Sequence, residues 1–230
     1  MQALLAFAAA LVSLRLAGAM RARRRPAWAA ALLAYALASA ALAWGAAHGW
    51  DARVFRVYYL AGGLLTAPLF GVGSLLLARR GWAAPLGFAW TGLALGVAIA
   101  MPVHGSFGRG IPAAQDHLAL APRVVAVAGN SLGTFAVVAV ALATIRRRPL
   151  GNALILAGIA VAAAGSGLAG LGVSAVSGFA LAAAVLLYLG AAEPSFSRRR
   201  SLTTRGSAVP PDSFITWPTK KPSSPSLPPR

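Results

Sequence analysis

PLGNALILAGIAVAAAGSGLAGLGVSAVSGFALAAAVLLYLGAA, residues 149–192, contains 44 residues and no charged side chain. One helix crosses about 30 Å of hydrocarbon with about 20 residues, so this stretch has the length of two spans. The glycine-rich segment Gly165–Gly172 supplies the reversal between them, because glycine accepts the positive φ of a sharp turn. Arginines bracket the stretch, with Arg146, Arg147 and Arg148 before it and Arg198, Arg199 and Arg200 after it.

The same punctuation organises the rest of the chain. Arg21, Arg23, Arg24 and Arg25 form one further cluster, and Arg79 with Arg80 another. Positive clusters face the cytoplasm, so each interval between them holds an even number of crossings. Each interval fits two, and one apolar stretch precedes the first cluster. The expectation is an all-α polytopic transmembrane bundle with seven spans, roughly 1–20, 27–46, 54–78, 82–102, 123–145, 150–167 and 172–192. An odd number places the N-terminus outside and the C-terminus in the cytoplasm. On that topology seventeen basic residues face inward, and only Arg53, Arg56, Arg109 and Arg123 face outward. The predicted location is therefore the inner (plasma) membrane of a bacterial cell, in multi-pass form.

Composition agrees. The 230 residues are 58% hydrophobic and 11% charged, with mean hydropathy +0.71, whereas a soluble domain carries about a quarter charged residues. The net charge of +17 resembles a nucleic-acid signature, but it is divided among short clusters between apolar runs. The lipid bilayer, not nucleic acid, is the expected partner, with anionic headgroups at the arginine clusters. Zero cysteines exclude disulfides, thiolate metal sites and thiol nucleophiles. Lysine occurs only as Lys220 and Lys221, a bias of GC-rich bacterial genomes.

Residues 1–20 carry no positive charge ahead of the apolar run, unlike a signal peptide, and read as a reverse anchor. The alternative start, Met20, would give a basic, apolar, A-S-A-ended leader. Trp28, Trp44, Trp50, Tyr58, Tyr59, Trp82 and Tyr188 fall near the predicted span ends, where amphipathic rings suit the headgroup layer. From 194 to 230 the chain becomes a basic, Pro/Ser-rich cytoplasmic tail holding eight of the fifteen prolines, too polar to pack. Its Ser201, Thr203 and Thr204 lie beside arginines in a phosphoacceptor-like setting.

Chemistry is sparse. No span holds a lysine for a retinal Schiff base or an acidic residue for proton transfer, and no phosphate loop or nucleophile motif exists. No catalytic residue and no cofactor is therefore expected. His48, His104 and His117 fall on the predicted outer side near Asp51 and Asp116, but without the spacing of a zinc site. Three G-x-x-x-G pairs, Gly45–Gly49, Gly92–Gly96 and Gly129–Gly133, match the roughly 2.7 that chance gives in so glycine-rich a chain.

The most specific stretch is FRVYYLAGGLLTAPLFGVG, residues 55–73. It places Arg56 and Tyr59 at the outer edge of the third span, with Thr66 and Pro68 near mid-membrane. A mid-span proline frees carbonyls that some other donor must satisfy. In the fifth span Asn130 and Thr134 share a face. If the two helices adjoin, Arg56, Tyr59, Thr66, Asn130 and Thr134 line an outward polar pocket for a small anionic or zwitterionic ligand, for binding or transport. Interhelical hydrogen bonding and snorkelling give the competing account. A membrane scaffold acting through the basic tail is the alternative function.

FRVYYLAGGLLTAPLFGVGSLLLA followed by GNSLGTFAVVAVAL and a basic, Ser/Pro-rich tail resembles uncharacterised seven-helix membrane proteins of high-GC bacteria. The similarity covers roughly residues 53–148. That resemblance implies a fold and no activity.

Overall fold

The computed structural model describes residues 1–108, 110–170 and 176–192. Arg109, Arg198–Arg200 and the tail from 194 lie outside the described residues, as does the expected tail chemistry at Ser201, Thr203 and Thr204. Regular structure among the described residues is helical, apart from an isolated bridge between Val103 and Leu118. Five helices are long and apolar enough to cross a membrane: α1 (Gln2–Ala22), α2 (Pro26–His48), α3 (Ala52–Leu77), α4 (Ala83–Ala100) and α5 (Leu120–Ala143). Two further apolar helices follow, α6 (Pro149–Gly170) and α7 (Val176–Ala192). This is a membrane-embedded helical protein.

Local sequence accounts for the helix ends. Pro26 and Pro149 open α2 and α6 at the position where a missing N–H costs no hydrogen bond. Gly49, at φ 97°, closes α2. The turns after α1 and α3 share one design. The N–H of Arg25 reaches the Met20 carbonyl and that of Arg24 the Arg21 carbonyl; Arg80 and Arg79 repeat this on Leu75 and Leu76. That pattern needs a left-handed residue at its centre, usually glycine. Here arginines take it, with φ 55° at Arg24 and 61° at Arg79.

Two boundaries differ from expectation. Helix α5 begins at Leu120, so Arg123 lies within its first turn; Pro122 fits there because first-turn N–H groups have no intrahelical partner. Helix α6 continues to Gly170, so the reversal assigned to Gly165–Gly172 does not begin before Gly170. Residues 171–175 lie outside the described residues. Gly165 serves contact instead: a Cβ there would meet the Phe179 Cβ of α7 at 2.6 Å.

Helix α2 is the most enclosed of the five long helices and α4 the least. The core is stacked in two layers. One joins Leu16, Met20, Trp28, Phe70, Val137, Ile155 and Leu187 near the arginine-rich turns. The other joins Leu42, Trp50, Phe55, Leu64, Ala98, Met101, Leu118 and Ala126 towards the opposite end. The segment between α4 and α5, with its single helical turn Ala114–His117, packs Phe107 and Ile111 onto that second layer. The expected aromatic belt is therefore partly core. Trp28 and Trp50 are buried, Trp28 edge-on to Phe70 and Trp50 edge-on to Tyr58, whereas Trp44 and Trp82 are exposed. Sequence position near a span end does not tell which way a ring faces around the helix.

Candidate functional site

Asp51 starts α3. Its Oδ1 accepts hydrogen bonds from the N–H groups of Arg53 and Val54 at 2.7 and 2.8 Å, satisfying donors that a helix start leaves free. The helix is α-helical over Ala52–Tyr58, π-helical over Tyr59–Thr66, and α-helical again over Ala67–Leu77. The wide central stretch ends beside a proline. Pro68 has no N–H to give, so Leu64 in α-helical register, or Gly63 in π-helical register, loses a donor, and both carbonyls take one from outside the helix.

Neighbouring helices supply those donors. Trp90 Nε1 of α4 donates to the Leu64 carbonyl at 2.7 Å, and Asn130 Nδ2 of α5 to the Gly63 carbonyl at 3.0 Å. Within the π-helical turn, the Thr66 hydroxyl donates to the Ala61 carbonyl at 2.7 Å. The close approach of α5 rests on glycine. A Cβ on Gly133 would lie 2.3 Å from the Ala67 carbonyl oxygen, and one on Gly71 would lie 2.8 Å from Gly133 Cα. A Cβ on Gly129 would strike the Trp90 ring. The absence of these side chains brings Asn130 within reach of α3.

At the end of α3 opposite the arginine-rich turns, two more side chains tie it to its neighbours. Arg56 Nη2 donates to the Met101 carbonyl, at the C-terminus of α4, at 3.0 Å. A cation there meets an unpaired carbonyl and the negative end of the helix dipole. The buried Arg56 Nε has no hydrogen-bond partner among the described residues. The Tyr59 hydroxyl donates to the Pro122 carbonyl of α5 at 3.3 Å.

The structure thus brings Thr66 and Asn130 to one level of α3 and sets Arg56 and Tyr59 above them. Thr134, one turn beyond Asn130, is half-buried and takes no part in this set of bonds. Trp90 completes the seam and was not among the pocket residues expected from sequence. The usable signal was a lone tryptophan deep in a span, which must find a partner for its N–H.

The histidines are separate from this seam. His117 is buried, stacks on Phe107 with ring centroids 4.4 Å apart, and its Nδ1 lies 2.8 Å from the His104 carbonyl. His48 stacks on Trp44 at 4.3 Å. No three His, Cys, Asp or Glu side chains are grouped to hold a metal among the described residues. An open depression of about 350 Å³, lined by Ser106, Ile111, Pro112, Asp116 and His117 among others, lies in the α4–α5 segment.

At the arginine end, Arg148 Nη2 donates to the Gly190 carbonyl of α7 at 3.2 Å. Asn152 Nδ2, buried one turn into α6, donates to the Thr144 hydroxyl at 2.9 Å. Burial, then the charges of Arg148 and Arg23, push the Arg25 guanidinium below its ordinary range. Comparison with known proteins gives no match: no protein-family model, curated protein or solved structure is similar to this chain.

Proposed function

We propose that this chain is a seven-span protein of the bacterial inner membrane, with its N-terminus outside and its C-terminus in the cytoplasm, that binds or transports a small anionic or zwitterionic ligand. The third span is its working element. Arg56 carries the reading: a half-buried arginine at the outer end of α3 that gives one donor to the Met101 carbonyl and leaves its Nε without a partner among the described residues. A guanidinium in that state has a donor and a charge to offer a carboxylate or phosphate.

The π-helical turn below it supports the same reading. Its Gly63 and Leu64 carbonyls are held by side chains from α5 and α4, so the third span is coupled to both neighbours just below Arg56. π-helical segments inside α-helices are frequent at functional sites. Arg56 and Tyr59 are the ligand-facing residues, with Thr66, Asn130 and Thr134 beneath them.

Two measurements test this. A reporter fused after Arg148 is cytoplasmic and one inserted near Ser106 is external; the reverse pattern overturns the topology. A thermal-shift screen of the purified chain against small carboxylates, phosphates and zwitterions finds a stabilising compound, and Arg56→Leu abolishes that shift while membrane abundance stays unchanged. Loss of abundance in Arg56→Leu, with no stabilising compound found, makes Arg56 a structural tie between α3 and α4.

A further inference from the structure

The segment between α4 and α5 is pinned to the bundle through one imidazole. His117 is only 8% exposed and stacks on Phe107, and Phe55 of α3 tilts against both rings, with centroids 5.4 Å from His117 and 5.7 Å from Phe107. The backbone fixes the same place: the His104 N–H donates to the His117 carbonyl at 3.0 Å, beside the bridge between Val103 and Leu118.

This setting determines the tautomer. His117 Nδ1 lies 2.8 Å from the His104 carbonyl oxygen, which can only accept. The proton of the neutral ring is therefore on Nδ1, and Nε2 keeps its lone pair. Nε2 has no hydrogen-bond partner among the described residues. His117 lines the depression of about 350 Å³ together with Ser106, Ile111, Pro112 and Asp116. Gly105 leaves the ring edge uncovered: its φ of 79° favours glycine, and a Cβ there would rest 3.6 Å from Nδ1 and 3.9 Å from Cε1.

The side chains of this depression mostly accept. Nε2 and the Asp116 carboxylate take hydrogen bonds, the Ser106 hydroxyl gives or takes one, and Ile111 and Pro112 offer apolar surface. A cation would suit the acceptors, but Arg53, Arg56 and Arg123 outnumber Asp51 and Asp116 at this end among the described residues. Arg109, outside the described residues, carries the same sign. A neutral ligand dense in hydroxyl groups satisfies these acceptors without meeting that potential. The volume stands at the low end of the roughly 300–1,000 Å³ of small-ligand sites.

We propose that this depression binds a small neutral polyol of monosaccharide size, one hydroxyl donating to His117 Nε2 and a neighbouring pair to the Asp116 carboxylate. The C–H face of the ligand rests on Ile111 and Pro112. The site uses no residue of the α3 seam, so it stands whether or not Arg56 binds an anion.

The test uses the full chain, purified in a polyoxyethylene detergent so that no detergent sugar competes, labelled with nitrogen-15 histidine and titrated with D-glucose and myo-inositol. His117 shows one protonated and one bare ring nitrogen, and the bare-nitrogen resonance moves on polyol addition while those of His48 and His104 stay in place. His117→Phe keeps a flat ring against Phe55 and Phe107 and lowers polyol affinity about ten-fold, the worth of one hydrogen bond. Asp116→Asn, at an exposed position, lowers it about three- to ten-fold, and His48→Phe leaves it unchanged. If His117→Phe does not fold by circular dichroism, the wild-type titration and Asp116→Asn decide the question. A His117 resonance that neither polyol moves overturns the site, as does an affinity unchanged in both variants. A larger movement with ethanolamine than with the polyols also overturns it, and makes the ligand an ammonium.

Discussion

Two glycine pairs of identical spacing do opposite things in this bundle. Gly129 and Gly133 on α5 are pressed against Trp90 and the backbone of α3, where a Cβ on Gly133 would come within 2.4 Å of the Ala67 carbonyl carbon. Gly92 and Gly96 on α4 meet nothing within 4 Å. Spacing alone therefore does not distinguish a helix contact from a bare helix face. What distinguishes them is the partner: α5 faces a helix carrying Gly71 and a mid-span proline, while α4 turns much of its surface outward, with Phe88 and Ile99 exposed. The third pair divides its labour, Gly45 making room for the Trp50 ring and Gly49 ending α2.

The contrast is broken most severely at Gly133. Gly133→Ala forces α3 and α5 apart and costs about 3 kcal/mol, the upper range for overpacking, because the obstructing atoms are backbone. Unfolding in detergent followed by tryptophan fluorescence measures it, and a cost below about 0.5 kcal/mol would show that the helices are not in close contact. Next comes the bond that this approach permits. Asn130→Leu leaves the Gly63 carbonyl without its donor and costs about 1–2 kcal/mol in the same assay. Trp90→Phe, which strands the Leu64 carbonyl, costs about 1 kcal/mol.

Smaller effects lie away from the seam. Arg79→Gly stabilises by about 0.5–1 kcal/mol, since glycine adopts φ 61° without the steric penalty that arginine carries there. It also removes a positive charge from the turn. If the reporter pattern changes while stability rises, that arginine is present for topology at the expense of conformation. Least of all, Gly92→Ala and Gly96→Ala are neutral or stabilising by under about 1 kcal/mol, through helix propensity alone. A large loss at either position would reveal a contact on the open face of α4.

The sequence made the apolar helices visible because their lengths and the arginine punctuation both follow from the thickness of hydrocarbon. Pro68 announced that carbonyls in α3 needed outside donors, and Asn130 was a plain candidate for one of them. The π-helical turn was not legible, because it depends on two neighbours reaching the Gly63 and Leu64 carbonyls together. Nor was the inward orientation of Trp28 and Trp50. The chain is apolar almost all the way around its helices, so hydrophobic periodicity carries little directional information. The meeting of Arg25 with Arg148 was equally hidden, since it arises from helix order around the bundle.

The central claim about α3 is that Asn130 serves a carbonyl that Pro68 leaves without a donor. A double-mutant cycle of Pro68→Ala and Asn130→Leu, read by equilibrium unfolding in detergent, tests it directly. The Pro68→Ala substitution returns an N–H to the helix, so the cost of Asn130→Leu falls by about 1 kcal/mol in that background. Costs that add to within about 0.3 kcal/mol would show the two residues to be independent and contradict this account of the third span.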